Sequence, residues 1–445
     1  MVKKLNLQRA STGVDSSKLA QKLSWLIAGI FILLPFHALL TTWAGSNLGH
    51  LDAWRIWKDV LLVLMVPPAL WLIWQSPGLK KWLMSSWITR LFGIYILLHI
   101  ILGAWALHQH AVNPTALIYG LIINLRFIAF LLVCLIVASQ TDFLRRHWQK
   151  ILLLPAAVVV AFGLVQKLFL PYDFLRHFGY GKDTIPAYQT VDSNLDYRRI
   201  QSTLRGANPL GAYLVLIIPT LWLGLKNSRR LRASVAIASL WILYFSYSRS
   251  AEIGVAIALG ILAWWSIGKK ISWQRLVIVF VSLAVLASAG LYVFRNSQPV
   301  QDTLFHTSDS SASPSSSNTA RVQAMKDGAS DVIHQPLGGG PGTAGPASAR
   351  NDHPARIAEN YFLQIGQEVG VLGIAIFVAI TVLVAKELWA RRNDQLAKIL
   401  LASLVGIIFV NLVSHAWTDD TLAYLWWGLA GVALSPLLKH KQKGV

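Results

Sequence analysis

The sequence has little charge for its length and almost no cysteine. Only 13% of its 445 residues are charged, whereas a soluble domain usually carries about 25% charged residues. The low charge argues against a water-soluble enzyme and indicates that lipid is the solvent for most of the chain. The single cysteine, Cys134, lies in an apolar run and excludes a framework of intramolecular disulfides.

Motifs for nucleotide and metal chemistry are also missing. The sequence contains no Walker A pattern, which argues against direct use of ATP. No group of His, Cys, Asp or Glu has a spacing typical of metal ligands. Asp419-Asp420 precedes the last apolar run, where acidic side chains favour the start of a helix. We therefore predict structural capping there, no metal site and no other cofactor.

What the sequence does contain is long apolar runs, many of about 17–25 residues, the length that crosses a bilayer. They predict an all-α polytopic membrane protein with about twelve transmembrane helices, all in one integral membrane domain, 1–445. The division between the seventh and eighth runs depends on a short polar break at Ser248-Arg249. The runs fall at 23–44, 58–75, 87–106, 116–139, 150–170, 209–225, 233–247, 250–266, 276–294, 359–385, 397–415 and 421–438.

The net charge of +20 has a one-sided distribution. A basic soluble protein would suggest nucleic acid as a partner. With twelve crossings, however, 24 of the 40 Lys and Arg residues fall on the side of both termini, with only four of the 20 acids. This asymmetry predicts cytoplasmic termini and no nucleic-acid partner. The first 22 residues precede a full-length span, so we expect an uncleaved first helix.

Two long loops are predicted on the opposite face, at 171–208 and 295–358. The second opens with a serine-rich stretch, Ser308 to Ser317, which we expect to be flexible. A helical segment, Ala320 to Ile333, follows, and then a glycine-rich turn from Pro336. Long loops in a compact protein are usually functional or disordered, so this face is expected to carry the working surface.

Three helix starts on this face carry polar motifs. Arg205 precedes Asn208-Pro209, which we expect to cap and begin one helix. Arg249 stands at the start of a second helix, and Glu359-Asn360 at the start of a third. A helix N-terminus beside an arginine suits a phosphate group. The structural alternatives are a local pair between Arg249 and Glu252 and an ordinary interfacial role for Arg205.

Other polar residues are less specific. Arg126 lies near mid-span, where a functional role and a buried ion pair are equally open. Lys167 lies near the end of a span, where it can reach the membrane surface. Gly338 and Gly340, in the glycine-rich turn, could cradle an anion, although a flexible turn explains them as well.

Four ordered motifs resemble those of the bacterial O-antigen ligase and polymerase superfamily, and the similarity covers about residues 150–430. They correspond to the family's Gly-Thr-Phe-x-Asn-Pro-Asn-x-x-Gly helix start, its Ser-Arg-Ser/Gly-Ala motif, its Arg…Pro-Leu-Leu-Gly-x-Gly loop and its His-Asn/Ser/Gln-x9-Gly-x-x-Gly pattern. Glu359 occupies the position of the family's histidine. In this sequence the motifs are Leu204–Gly211, Ser248–Gly254, Arg321–Gly342 and Glu359–Gly373.

The resemblance implies a membrane glycosyltransferase of GT-C-like architecture, with its large periplasmic loop between helices 9 and 10. Members transfer a glycan from undecaprenyl pyrophosphate to an acceptor at the periplasmic face of the inner membrane. As an O-antigen ligase, the chain would use lipid A–core oligosaccharide as acceptor, with membrane lipid around it. One-step attack would invert the anomeric centre without a metal.

The resemblance also suggests roles for residues. Arg205 and Arg249 would hold the pyrophosphate during catalysis. Glu359 would be the base, or it would cap its helix and orient the arginines, and the two readings are equally open. His334 and His353 are alternative bases. The further candidates for substrate binding are Arg199, Arg321, Asn208, Asn360, Gly338 and Gly340.

Several other functions compete with the ligase. A polysaccharide polymerase and a protein O-oligosaccharyltransferase belong to the same superfamily. A transporter or flippase would place its ionisable groups near mid-membrane in discontinuous helices, and a membrane scaffold would need no arginines at the three helix starts. The concentration of polar residues at one face favours an enzyme.

Overall fold

The computed structural model describes residues 14–191, 194–224, 229–267 and 317–436. The described chain is mostly helical, and its only sheet is an antiparallel hairpin of β1 (Gln189–Val191) and β2 (Asn194–Arg199). The helices are α1 (Val14–Leu33), α2 (His37–Leu48), α3 (Leu51–Arg55), α4 (Trp57–Trp74), α5 (Pro77–Ser85), α6 (Trp87–His108), α7 (Pro114–Gln140), α8 (Phe143–Leu168), α9 (Ala207–Gly224), α10 (Arg229–Phe245), α11 (Arg249–Ile267), α12 (Ser317–His334), α13 (Gly345–Ser348), α14 (Tyr361–Ala390), α15 (Gln395–Leu412) and α16 (Asp420–Leu434).

Eight helical stretches of the described chain are long and apolar enough to cross a membrane. The protein is therefore a multi-pass membrane protein of the all-α class. Three further predicted spans coincide with α10, α11 and α16, and the predicted span 276–294 lies outside the described residues. The eight stretches are Ser16–Leu48, Trp57–Trp74, Trp87–His108, Pro114–Gln140, Phe143–Leu168, Ala207–Gly224, Tyr361–Ala390 and Gln395–Leu412.

The predicted local features of the long loops are partly visible. The helical segment after the serine-rich stretch is confirmed as α12, whereas residues 308–316 lie outside the described residues. The break at Ser248-Arg249 is also confirmed, because α10 ends at Phe245 and α11 begins at Arg249. The hairpin in the loop 171–208 was not predicted.

Close glycine contacts bring the motif-bearing helices together. A Cβ atom on Gly406 of α15 would lie 2.3 Å from the carbonyl oxygen of Gly254 in α11. A Cβ atom on Gly211 of α9 would lie 2.7 Å from the Cβ of Ser248, just before α11. Since only glycine allows such an approach, the starts of α9 and α11 lie side by side.

The glycine-rich turn packs into a kink of α14. The helix loses its regular dihedral angles at Val369 and Gly370. The amides of Gly339 and Gly340 donate to the carbonyl oxygens of Gln367 and Glu368, at 2.8 and 2.7 Å. These amides are therefore engaged by the protein, and the geometry gives no support to an anion cradle at the turn.

Candidate functional site

Two cavities lie at the starts of α9, α11 and α14, and a third adjoins them. The first, which we call the arginine cavity, has a volume of about 360 Å³. The guanidinium groups of Arg199, Arg249 and Arg321 line it, from β2, α11 and α12 respectively. The structure thus gathers three of the predicted arginines from distant parts of the chain.

Arg199 is held in place by the backbone and by one side chain. Its Nε donates to the carbonyl oxygen of Ser246 at 2.8 Å, and its Nη2 donates to Oδ1 of Asn208 at 2.5 Å. Burial, together with the neighbouring Arg321 and Arg249, lowers the pKa of Arg199 to about 10. The residue remains a cation at pH 7, so positive charge is concentrated in this cavity.

The prediction that Asn208 caps its helix was wrong. Helix α9 begins one residue earlier, at Ala207, and the Gly206 carbonyl accepts the first helical hydrogen bond from Leu210 at 3.0 Å. The amide of Ala207 donates to Oε1 of Gln189 at 3.0 Å, so a side chain of the hairpin caps the helix. Asn208 is free of the capping role and instead fixes Arg199.

The second, central cavity has a volume of about 140 Å³ and is lined by Arg205, Glu359, His415 and Asp419. It shares Asn208 with the arginine cavity. Within the described part of the chain, the Arg205 guanidinium makes no hydrogen bond or ion pair. Its charge is therefore available to a ligand.

Glu359 links the central cavity to the arginine cavity. Its Oε2 lies 3.6 Å from Nε of Arg321, which is an ion pair but is longer than a hydrogen bond. The Glu359 backbone has a left-handed φ of 51°, and Tyr247 before α11 has the same value. Such strained residues persist where the surrounding structure holds them, and they are concentrated at functional sites.

Asn360 has a structural role that explains this conformation. Its Oδ1 accepts from the amides of Phe362 and Leu363, at 2.9 and 3.1 Å, and therefore caps α14. Its Nδ2 donates to the carbonyl oxygen of Leu412 at 2.7 Å. The side chain is thus used within the protein, and it holds Glu359 against the end of α15.

The reasoning from sequence missed His415, which lines the central cavity. Its Nδ1 is buried and has no hydrogen-bond partner among the described residues. Burial lowers the pKa of the imidazole, and the Glu359 carboxylate opposes this effect. Arg205 and Arg321 reinforce the lowering of the pKa. No local motif marks His415, and the available signal is its position just before Asp419-Asp420 at the start of the last apolar helix.

The third, wide cavity has a volume of about 500 Å³ and shares Arg205 and Asp419 with the central one. Asp420 pairs there with Nζ of Lys58 and with Nη1 of Arg126, both at 2.7 Å. The buried ion pair predicted as one alternative for Arg126 is confirmed. The capping prediction is confirmed as well, because Oδ1 of Asp419 accepts from the amide of Leu422 at 3.1 Å.

Comparison with known protein families finds a match within the chain. Residues 234–378 match the family model described as O-antigen ligase. This part of the chain is therefore similar to the O-antigen ligase family. The match includes the motifs Ser248–Gly254, Arg321–Gly342 and Glu359–Gly373, whereas Leu204–Gly211 lies before it. No curated protein matches the chain.

The two histidines that were candidates for an alternative base lie elsewhere. His353 is exposed and lines a separate cavity of about 260 Å³. His334 is exposed, and its Nδ1 bonds to the carbonyl oxygen of Ser330 at 2.8 Å. Neither lines the arginine, central or wide cavity. The structure therefore brings Arg199, Arg205, Arg249, Arg321 and Glu359 together and leaves these two histidines outside.

Proposed function

We propose that this protein is an O-antigen ligase. It transfers O-antigen polysaccharide from undecaprenyl pyrophosphate to lipid A–core oligosaccharide at the periplasmic face of the inner membrane. The observation that carries this proposal is the convergence of Arg199, Arg249 and Arg321 on one cavity, with Arg205 in the next. Guanidinium groups bind the oxygens of phosphates in a fixed, bidentate geometry, and a diphosphate offers several such oxygens.

The chemistry fits a donor that carries its own leaving group. Negative charge develops on the pyrophosphate as the glycosidic bond breaks, and preorganised arginines stabilise it. Neither a nucleotide nor a metal is required for this step. Direct attack by the acceptor hydroxyl inverts the anomeric centre.

The three cavities divide the substrates between them. The pyrophosphate occupies the arginine cavity, and Arg205 contacts it from the central cavity. The acceptor sugar enters through the wide cavity, which adjoins the central cavity at Arg205 and Asp419. The frame of this site is a GT-C-like bundle of twelve spans with both termini in the cytoplasm.

A deletion strain tests this function against its relatives. A ligase predicts that long-chain lipopolysaccharide disappears while lipid-linked polymer accumulates. A polymerase predicts instead that single repeat units still reach lipid A–core, and a protein O-oligosaccharyltransferase predicts unchanged lipopolysaccharide. A flippase predicts that the lipid-linked donor stays on the cytoplasmic side. Complementation with wild type but not with Arg205→Ala ties the phenotype to the site.

A further inference from the structure

His415 has the position and the surroundings of a proton acceptor. It lies in the short loop between α15 and α16, where its carbonyl oxygen accepts from the amide of Thr418 at 3.0 Å and from Oγ1 of the same residue at 2.7 Å. Oδ1 of Asn411 accepts from the amide of Trp417 at 3.0 Å. These bonds fix the backbone of the loop around His415, and a reacting group needs such a fixed position.

The same loop is tied to the start of α14. The amide of Tyr361 donates to the carbonyl oxygen of Ser414 at 3.1 Å, and Nδ2 of Asn360 donates to the carbonyl oxygen of Leu412. These bonds keep Glu359 and His415 on the wall of one cavity. Their mutual position is therefore set by the backbone and does not depend on a bound ligand.

The surroundings of His415 favour its neutral form, and burial is the main cause. Burial and the nearby guanidinium groups of Arg205 and Arg321 lower the pKa of the imidazole, whereas Glu359 and Asp419 raise it, with a net lowering. An imidazole whose pKa lies below the ordinary value of about 6.5 is unprotonated at pH 7. Only that form can accept a proton.

Glu359 is placed for a different task. Its Oε2 faces Arg321, whose Nε is buried and has no hydrogen-bond partner in the described chain. A carboxylate in this position fixes the guanidinium beside the arginine cavity. It also stabilises a positive charge that forms on the neighbouring imidazole.

We propose that His415, rather than Glu359, accepts the proton of the acceptor hydroxyl. This inference rests on the proposed function. As the acceptor oxygen bonds to the anomeric carbon, its O–H bond breaks and the proton passes to the imidazole of His415. The bond from the anomeric carbon to the phosphate oxygen breaks at the same time, and undecaprenyl pyrophosphate leaves with the bonding electrons. Glu359 acts as a positioning residue for Arg321 and for the imidazolium that forms.

The test uses the full chain in lipid nanodiscs, with lipid-linked O-antigen as donor and lipid A–core as acceptor. His415→Gln should lower the transfer rate at least about 100-fold, the usual contribution of a general base. Binding of the donor should remain unchanged. His353→Ala is the matched control, since His353 is exposed and outside the three cavities, and it should transfer at the wild-type rate.

The pH profile gives a readout that a structural role would not change. Wild-type transfer should fall on its acidic side with a midpoint below pH 6.5, because protonated His415 cannot accept a proton. Asp419→Asn keeps a side-chain oxygen for the helix cap but removes a carboxylate that raises the pKa of His415. Its acidic midpoint should therefore move to a lower pH. Added imidazole should restore part of the transfer by His415→Ala.

The outcomes separate this inference from the proposed function. If wild type transfers and His415→Gln transfers equally well, His415 is not the base and the ligase proposal stands. If His415→Gln loses donor binding together with transfer, or the acidic midpoint of Asp419→Asn does not move, the base role is also wrong. If wild type itself joins no donor to acceptor, the ligase function fails, and this inference fails with it.

Discussion

Arg321 and Glu359 face each other where the arginine cavity meets the central cavity, with 3.6 Å between Nε and Oε2. Both side chains are about one-third exposed, and such pairs contribute at most about 1 kcal/mol to the free energy of unfolding. The main effect of the pair is therefore to orient the guanidinium group of Arg321. It fixes an arginine of the long loop against the start of α14.

The first prediction concerns Arg205 and Arg249, the two main arginines that we propose to bind the pyrophosphate. Hydrogen bonds to charged groups contribute about 1.5–3 kcal/mol, so Arg205→Ala and Arg249→Ala should each lower the transfer rate at least about tenfold. Arg→Lys should restore little activity, because an ammonium group lacks the planar fork. Arg146→Ala is the matched control, since Arg146 is exposed and pairs only locally with Asp142. Near-normal transfer by both alanine variants at normal protein levels would remove these arginines from the site.

The second prediction separates the two readings of Glu359. If the carboxylate orients Arg321, Glu359→Gln should weaken donor binding and transfer together, because the ion pair is lost. Titration of the variant with lipid-linked donor, beside the transfer assay, measures both effects. Intact donor binding with lost transfer would instead mean that Glu359 acts in the transfer step itself, as the base or on the imidazolium of His415. Partial transfer by Glu359→His with a shifted pH profile would point the same way.

Local signals predicted the helix starts that build the site. The helix that follows Glu359-Asn360 begins at Tyr361, and α11 begins at Arg249, because caps and polar breaks act within a few residues. The prediction that Asn208 caps α9 was wrong because the capping partner is not a neighbouring residue. The first amide of α9 donates to the side chain of Gln189, which lies in the hairpin and outside the motif that contains Asn208. A hydrogen bond between such separate segments leaves no local sequence pattern.

Contacts between distant segments explain the rest of what the sequence did not reveal. His415 belongs to the central cavity only because the start of α14 bonds to the loop after α15. The sequence allowed an anion cradle at the glycine-rich turn, but the amides of this turn donate hydrogen bonds to the kink of α14. In both cases the function of a residue depends on a partner that the sequence pattern does not specify.

The third prediction tests the glycine contacts that align α11 with α15. A side chain on Gly406 would collide with the backbone of Gly254, so Gly406→Val should destabilise the fold. Overpacking of this kind typically costs about 1–3 kcal/mol, which a thermal-unfolding measurement in detergent can detect. Gly93→Ala in α6 is the control, because nothing lies within 4 Å of the added Cβ and its stability should not fall. Equal unfolding temperatures for Gly406→Val and wild type would contradict the close packing.

The fourth prediction concerns topology. The one-sided net charge of +20 predicts that both termini lie in the cytoplasm. Reporter fusions at Ser311 and at Asn393 should therefore report opposite sides of the membrane, with Ser311 in the periplasm. Two fusions that report the same side would rule out the arrangement of twelve spans.

The most direct test of the ligase account is a transfer assay with purified protein. The full chain in nanodiscs should join lipid-linked O-antigen to lipid A–core without ATP and in the presence of EDTA, because the pyrophosphate leaving group supplies the driving force and arginines neutralise its charge. Mass spectrometry of the product should show the glycan on the core sugar, and NMR coupling constants should show an inverted anomeric centre. The account would be contradicted if the wild-type protein forms no product, or if EDTA abolishes the activity and a divalent cation restores it.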